Sequence, residues 1–101
     1  DLTYFDIEKY RSQLFSMFSG ETQKVELQFN AEMIDDIFDK FGEGINIRKR
    51  GENDYRVVVP IQVSKIFYTW VVGSQGKVKI LSPHKVKEEF ACFVNKIKQA
   101  Y

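Results

Sequence analysis

The feature that most limits the fold is a change of hydrophobic period, repeated several times along the chain. Val25, Leu27 and Phe29 alternate with Glu26 and Gln28, the two-residue period of a half-buried strand. Directly afterwards Met33, Ile34, Ile37, Phe38 and Phe41 recur at three- and four-residue steps, which marks a helix with one apolar face. Ile45 and Ile47 return to alternation with Asn46 and Arg48. Tyr55, Val57, Val59, Ile61 and Val63 do the same, and Gly51-Glu52-Asn53-Asp54 lies between the two runs as a hairpin turn. Phe67, Trp70 and Val71 are helix-spaced, and Val78 and Ile80 share one strand face. At either end stands a further helical stripe: Ile7, Tyr10, Leu14, Met17 and Phe18 in front, and Val86, Phe90, Phe93, Val94, Ile97 and Tyr101 behind.

The order is therefore helix, then β-α-β-β-α-β, then helix. The middle part is the split βαβ pattern of the ferredoxin-like α+β fold: a four-stranded antiparallel sheet with both crossover helices on one face. Punctuation residues support these boundaries. Asp6, Asn30 and Ser64 are N-cap residues for the first three helices, and Ser82-Pro83 reads as N-cap and first helical position of the last. Ser19-Gly20, Gly42 and Gly73 read as helix stops, and Gly76 precedes the last strand. Pro60 sits inside the run 55–63, so either that strand bulges there or it ends at Val59.

At 101 residues the chain is one domain long, with nine Phe and five Tyr to fill a core. The expected division is a linking helix over 1–20 and the domain proper over 21–101. Fifteen basic residues against fourteen acidic leave a formal charge of +1, so bulk electrostatics point to no partner. Nothing approaches the ~18 consecutive apolar residues of a membrane span, and the start has no basic leader. One cysteine, Cys92, excludes a disulfide within the chain and fits a reducing compartment, so the expected location is cytoplasmic. The first residue is not Met, which suggests a piece of a longer polypeptide, although processing of the chain would look the same.

Residues for catalysis are sparse. His84 is the only histidine and reads as a solvent-facing residue in a first helical turn. Cys92, beside Phe90 and Phe93 and without a CxxC, reads as a buried structural thiol. One His and one Cys fall short of the roughly four ligands of a zinc site. Asp35, Asp36 and Asp39 share a helix with Lys40 and read as a wet face that complements the helix dipole. Gly42-Glu43-Gly44 and Gly73-Ser74-Gln75-Gly76 lack the spacing of a phosphate cradle. The expectation is a non-enzymatic domain with no cofactor and no metal.

One RNA-binding module shares this topology and stacks bases on aromatics of the open sheet face. Here the outward positions are Glu26, Gln28, Arg56 and Val58, which argues against stacking. The outward set does carry Arg48, Arg50, Arg56, Lys77 and Lys79 against Glu26. That set could contact phosphates or be an ordinary solvated face.

The ordered residues also resemble a family. Phe5-Asp6-Ile7-Glu8-Lys9-Tyr10, Phe15-Ser16-Met17-Phe18-Ser19-Gly20-Glu21 and the Val25, Leu27, Phe29 strand look like the C-terminal part of WYL-domain transcriptional regulators. Asp39-Lys40-Phe41-Gly42, Val57-Val58-Val59, Phe67 with Trp70, Val78-Lys79-Ile80-Leu81-Ser82-Pro83 and the terminal Tyr101 follow in the same order. The resemblance implies a C-terminal extension (WCX) domain, whose parent carries a WYL domain and a DNA-binding helix-turn-helix domain ahead of it. It implies a regulatory and dimerisation role, with a second copy or the WYL domain as partner, and DNA contacted through the missing N-terminal domain. Neither the recognition helix nor the WYL signature is in this sequence.

A pairing role agrees with the two end stripes, which exceed what one four-stranded sheet easily covers. Tyr10, Leu14 and Met17 in front, and Phe90, Phe93, Val94, Ile97 and Tyr101 behind, are the candidate interface. The alternative is that both helices complete the core. Trp70 is assigned to the core, and the second functional reading is capture of a nucleic acid or small anionic effector on the basic sheet face.

Overall fold

The computed structural model describes residues 19–101, and the helix expected over 7–18 lies outside them. Strand β1 spans Ser19–Phe29, followed by a 3-10 turn at Ala31–Met33 and helix α1 at Ile34–Phe41. Next come β2 (Arg48–Gly51), β3 (Asp54–Ser64), α2 (Lys65–Gly73), β4 (Val78–Ser82) and α3 (His84–Gln99). The sheet is antiparallel throughout in the order β2-β3-β1-β4. This is the ferredoxin-like arrangement that the alternating periods predict, with the two long strands in the middle.

Register makes one face dry. Leu27 pairs with Val57 on one side and Ile80 on the other, and Val25 pairs with Val59. All five are buried and form one cluster with Ile37 of α1, Phe67 and Val71 of α2, and Val86 of α3. The helices are joined on that face by aromatic contacts. Phe41 of α1 meets Trp70 of α2 edge-on at 5.5 Å, and Tyr68 of α2 lies 5.7 Å from Phe90 and 5.5 Å from Phe93 of α3. Trp70 is half-buried against this core, as assigned.

Several boundaries differ from the sequence reading. Ser19 and Gly20, expected to stop a helix, open β1 instead, because Ser19 pairs with Ser64 at the far end of β3. Strand pairing here outweighs the glycine's capping preference. The alternation at Ile45 and Ile47 precedes β2, which begins only at Arg48. Strand β3 neither bulges at Pro60 nor ends at Val59. Pro60 pairs with Lys24, while β2 reaches β3 only as far as Arg56, so the proline sits where one edge has no neighbouring strand among the described residues. At the last helix Ser82 stays in the ladder opposite Glu26, and Pro83 becomes the N-cap, with its carbonyl accepting from Lys87 N–H at 3.1 Å.

The caps show a division between local and distant. Ser64 does cap α2, its Oγ accepting from Phe67 N–H at 3.2 Å. Asn30 stands at the N-cap of the 3-10 turn but makes no cap bond, and its Oδ1 is buried without a partner. The Ala31 N–H is instead satisfied by Asn53 Oδ1 at 2.9 Å, from the β2–β3 turn. The Phe29–Tyr55 pairing brings that turn to the end of β1. Asn53→Ala should therefore destabilise the domain by about 1 kcal/mol, read as a lower urea midpoint. Asn30→Ala removes an unsatisfied acceptor and should cost less.

Gly42 ends α1 at φ +89 and Gly76 enters β4 at φ +88, a region costly for other residues. Between them Ser74, buried at the end of α2, donates to Val71 carbonyl at 2.6 Å and accepts from Val78 N–H at 3.1 Å. It ties the helix end to the last strand.

Candidate functional site

On the open side of the sheet, alternation sets a row of polar residues across all four strands. Arg48 pairs with Arg56, Arg56 with Gln28, and Gln28 with Lys79. The next row is Val58 against Glu26 and Ser82. Directly opposed residues in neighbouring strands project from the same face, so this row is continuous. At its β2 end Arg48, Arg50 and Arg56 surround a hollow of about 270 Å³ together with Glu26, Asn46, Val57 and Val58. Arg56 is held by Asp54, its Nη2 lying 3.3 Å from Oδ2, and that carboxylate holds the guanidinium above its ordinary pKa. Glu26 and Asp54 are therefore the acidic counterweights to three arginines. The aromatics Phe29 and Tyr55 stack 6.1 Å apart on β1 and β3 at positions alternate to this row, so bases find no stacking platform here.

Lys77 does not join this surface. It lies before β4, and its Nζ reaches Glu32 Oε2 at 2.8 Å, which raises the lysine pKa and lowers that of the carboxyl. A side chain one residue short of a strand does not inherit its alternation. The other four expected cations, Arg48, Arg50, Arg56 and Lys79, share the open face.

The last stripe behaves differently along its length. Val86 is fully buried and Phe90 and Phe93 are half-buried, yet Ile97 is 42% exposed and Tyr101 fully exposed. Val94, on the flank of the stripe, is 39% exposed. One apolar line thus starts in the core and ends in solvent, because α3 is longer than the surface it packs against. Tyr10, Leu14 and Met17 lie outside the described residues.

Between α2 and α3 runs an open groove of about 910 Å³, floored by Tyr68, Phe93, Ile97 and Ala100 and edged by Lys65, Lys85, Lys96, Glu88 and Glu89. Cys92 lines it and is exposed, contrary to the buried thiol expected. On a helix, position 92 is turned about 100° away from 93 and so falls off the inward stripe. The Tyr68 hydroxyl donates to Glu89 Oε2 at 3.0 Å. Burial, then that bond and the neighbouring charge, push the phenol well above its usual range. A raised folded-state value means stability is intact below the unfolded value near 10.0 and is lost as pH rises past it. The stability advantage of the natural protein over Tyr68→Phe should then be constant up to about pH 9 and shrink progressively as pH rises above about 10, measured by urea unfolding at each pH.

His84 is solvent-facing, as expected, and pairs with Glu88 at 2.9 Å. It lies two helical turns from Cys92, so the two do not converge. Asp35, Asp36 and Asp39 are exposed on α1, the first two in its opening turn. Among the described residues no helix is long and apolar enough to cross a membrane. No protein-family model matches the chain, and no curated protein matches it.

Proposed function

We propose that this domain is a non-catalytic regulatory and pairing module of the WCX type, from a cytoplasmic WYL-family transcriptional regulator. The observation that carries the proposal is the apolar line of α3, which leaves the core and ends in exposed Ile97 and Tyr101 with Val94 beside them. An apolar helix face left in water is costly and is covered when a second surface meets it. The ordered resemblance and the ferredoxin-like sheet support the same reading; the fold alone would not, since it hosts many functions. In the parent protein, DNA contact belongs to a preceding helix-turn-helix domain, and this module links protomers or packs on the WYL domain.

The test is sedimentation of the isolated chain across a concentration series. A dimer that Ile97→Glu converts to monomer, without loss of circular-dichroism signal, supports pairing through α3. A strict monomer at high concentration overturns unaided pairing and shifts the role to docking on the WYL domain.

A second reading rests on a separate observation, the three arginines around the open-face hollow. It is capture of an anionic effector, such as a short nucleic acid, by that face.

A further inference from the structure

Asp54 holds the one arginine of the open-face hollow that is already engaged. Among the described residues Arg48 and Arg50 bond no carboxylate, whereas Arg56 Nε and Nη2 donate to the two Asp54 oxygens at 3.4 and 3.3 Å. That is the fork with which a guanidinium grips a carboxylate or a phosphate. The bonds are longer than the ~2.7–2.9 Å of a tight charge-assisted pair. Asp54 and Arg56 lie two residues apart on β3, so both side chains rise on the open side. Both are half-buried, and the Asp54 carboxylate bonds nothing else among the described residues.

Register gives that carboxylate its task. Arg48 and Arg56 are directly opposed across β2 and β3, and like charges so placed repel. Asp54 offsets the repulsion from within the chain. An anion seated between Arg48 and Arg56 would do the same work and would meet Asp54 as a like charge. We propose that Asp54 is the specificity-determining residue of the hollow. A ligand must take Arg56 from a carboxylate already bonded to it, so the site selects phosphate groups over single carboxylates. A lone carboxylate exchanges like for like and gains little. A phosphate brings a further charge and a third acceptor oxygen, which Arg48 or Arg50 can meet. The inference rests on the reading of the open face as an anion site and names the anion it prefers.

The test uses the whole chain and a fluorescent single-stranded oligothymidylate as probe. Asp54→Asn should bind it about two- to fivefold more tightly, the range that exposed ion pairs set. The slope of log affinity against log salt should steepen by about 0.7. Glu52→Gln removes the same charge from the adjoining turn. Glu52 is exposed and bonds no arginine among the described residues, so its replacement should change neither quantity. Circular dichroism checks that both variants fold. Equal gains in the two variants, or no gain in Asp54→Asn, overturn the assignment. The natural protein supplies a second measurement that needs no variant. At pH 8 and equal ionic strength, inorganic phosphate should displace the probe at about a tenth of the acetate concentration, through one more charge-assisted bond. Equal displacement by the two ions overturns the selection for phosphate. Absence of binding by the natural protein removes the anion reading itself, whereas binding that Asp54→Asn does not strengthen removes only the role of Asp54.

Discussion

Leu27→Ala lowers the stability of this domain by about 2–5 kcal/mol, seen as a large drop in the urea midpoint at unchanged slope. Leu27 has no exposed surface and lies between Val57 and Ile80 in the two neighbouring strands. Its truncation leaves a hole bounded by strands on both sides, which cannot collapse without breaking the ladder. A domain of this size has about 5–15 kcal/mol in total, so the variant is close to the limit of folding. Val58→Ala is the matched control. It stands on β3 one residue after Val57, faces the open side and is 56% exposed, so its truncation should stay within about 1 kcal/mol. If the two variants lose similar stability, the assignment of dry and wet sheet faces is wrong.

If the open face captures an anionic effector as proposed, neutralising Arg48, Arg50 and Arg56 together to Gln should abolish its binding of a short single-stranded oligonucleotide. Three phosphate contacts give a slope of about −2 in a plot of log affinity against log salt. Between about 1 M and about 0.1 M salt that slope amounts to roughly 100-fold, and the triple variant forfeits it. Lys77→Gln should leave affinity unchanged, because Lys77 is engaged with Glu32 away from the hollow. Equal losses in both variants would show diffuse attraction to a basic protein and would sink the hollow as a site. Absence of salt-dependent binding by the natural protein would remove the effector reading and leave the pairing role alone.

The two experiments probe opposite faces of one sheet, and the sequence announces both through the same two-residue alternation. Val25, Leu27 and Phe29 against Glu26 and Gln28 already state which side is dry, and β3 repeats the statement. The fold was legible for that reason: period follows from backbone geometry and needs no neighbour to express itself. Arg48, Arg50 and Arg56 were legible as a group for the same cause, since strand phase survives from sequence to structure. Lys77 was not, because it lies outside the strand whose phase it was assigned.

Other features depended on which segments meet. Ser64 is a cap readable from its own neighbours, whereas the bond to Ala31 comes from Asn53, distant in sequence and adjacent only because β1 and β3 pair. Pro60 is tolerable because β2 is short, which depends on the partner strand and not on the proline. The stripe of α3 is uniform in sequence from Val86 to Tyr101, but its burial is not, because exposure is set by where the neighbouring elements stop. For the same reason Cys92 lines an open groove rather than a core. Sequence by itself determined the order of elements, their inward faces and the basic row, because these follow from the periodicity of the backbone. Tertiary structure alone decided caps between distant segments, the edge that admits a proline, and the point where an apolar stripe leaves the core. Each of these is a contact between residues far apart in the chain, and local chemistry carries no record of it.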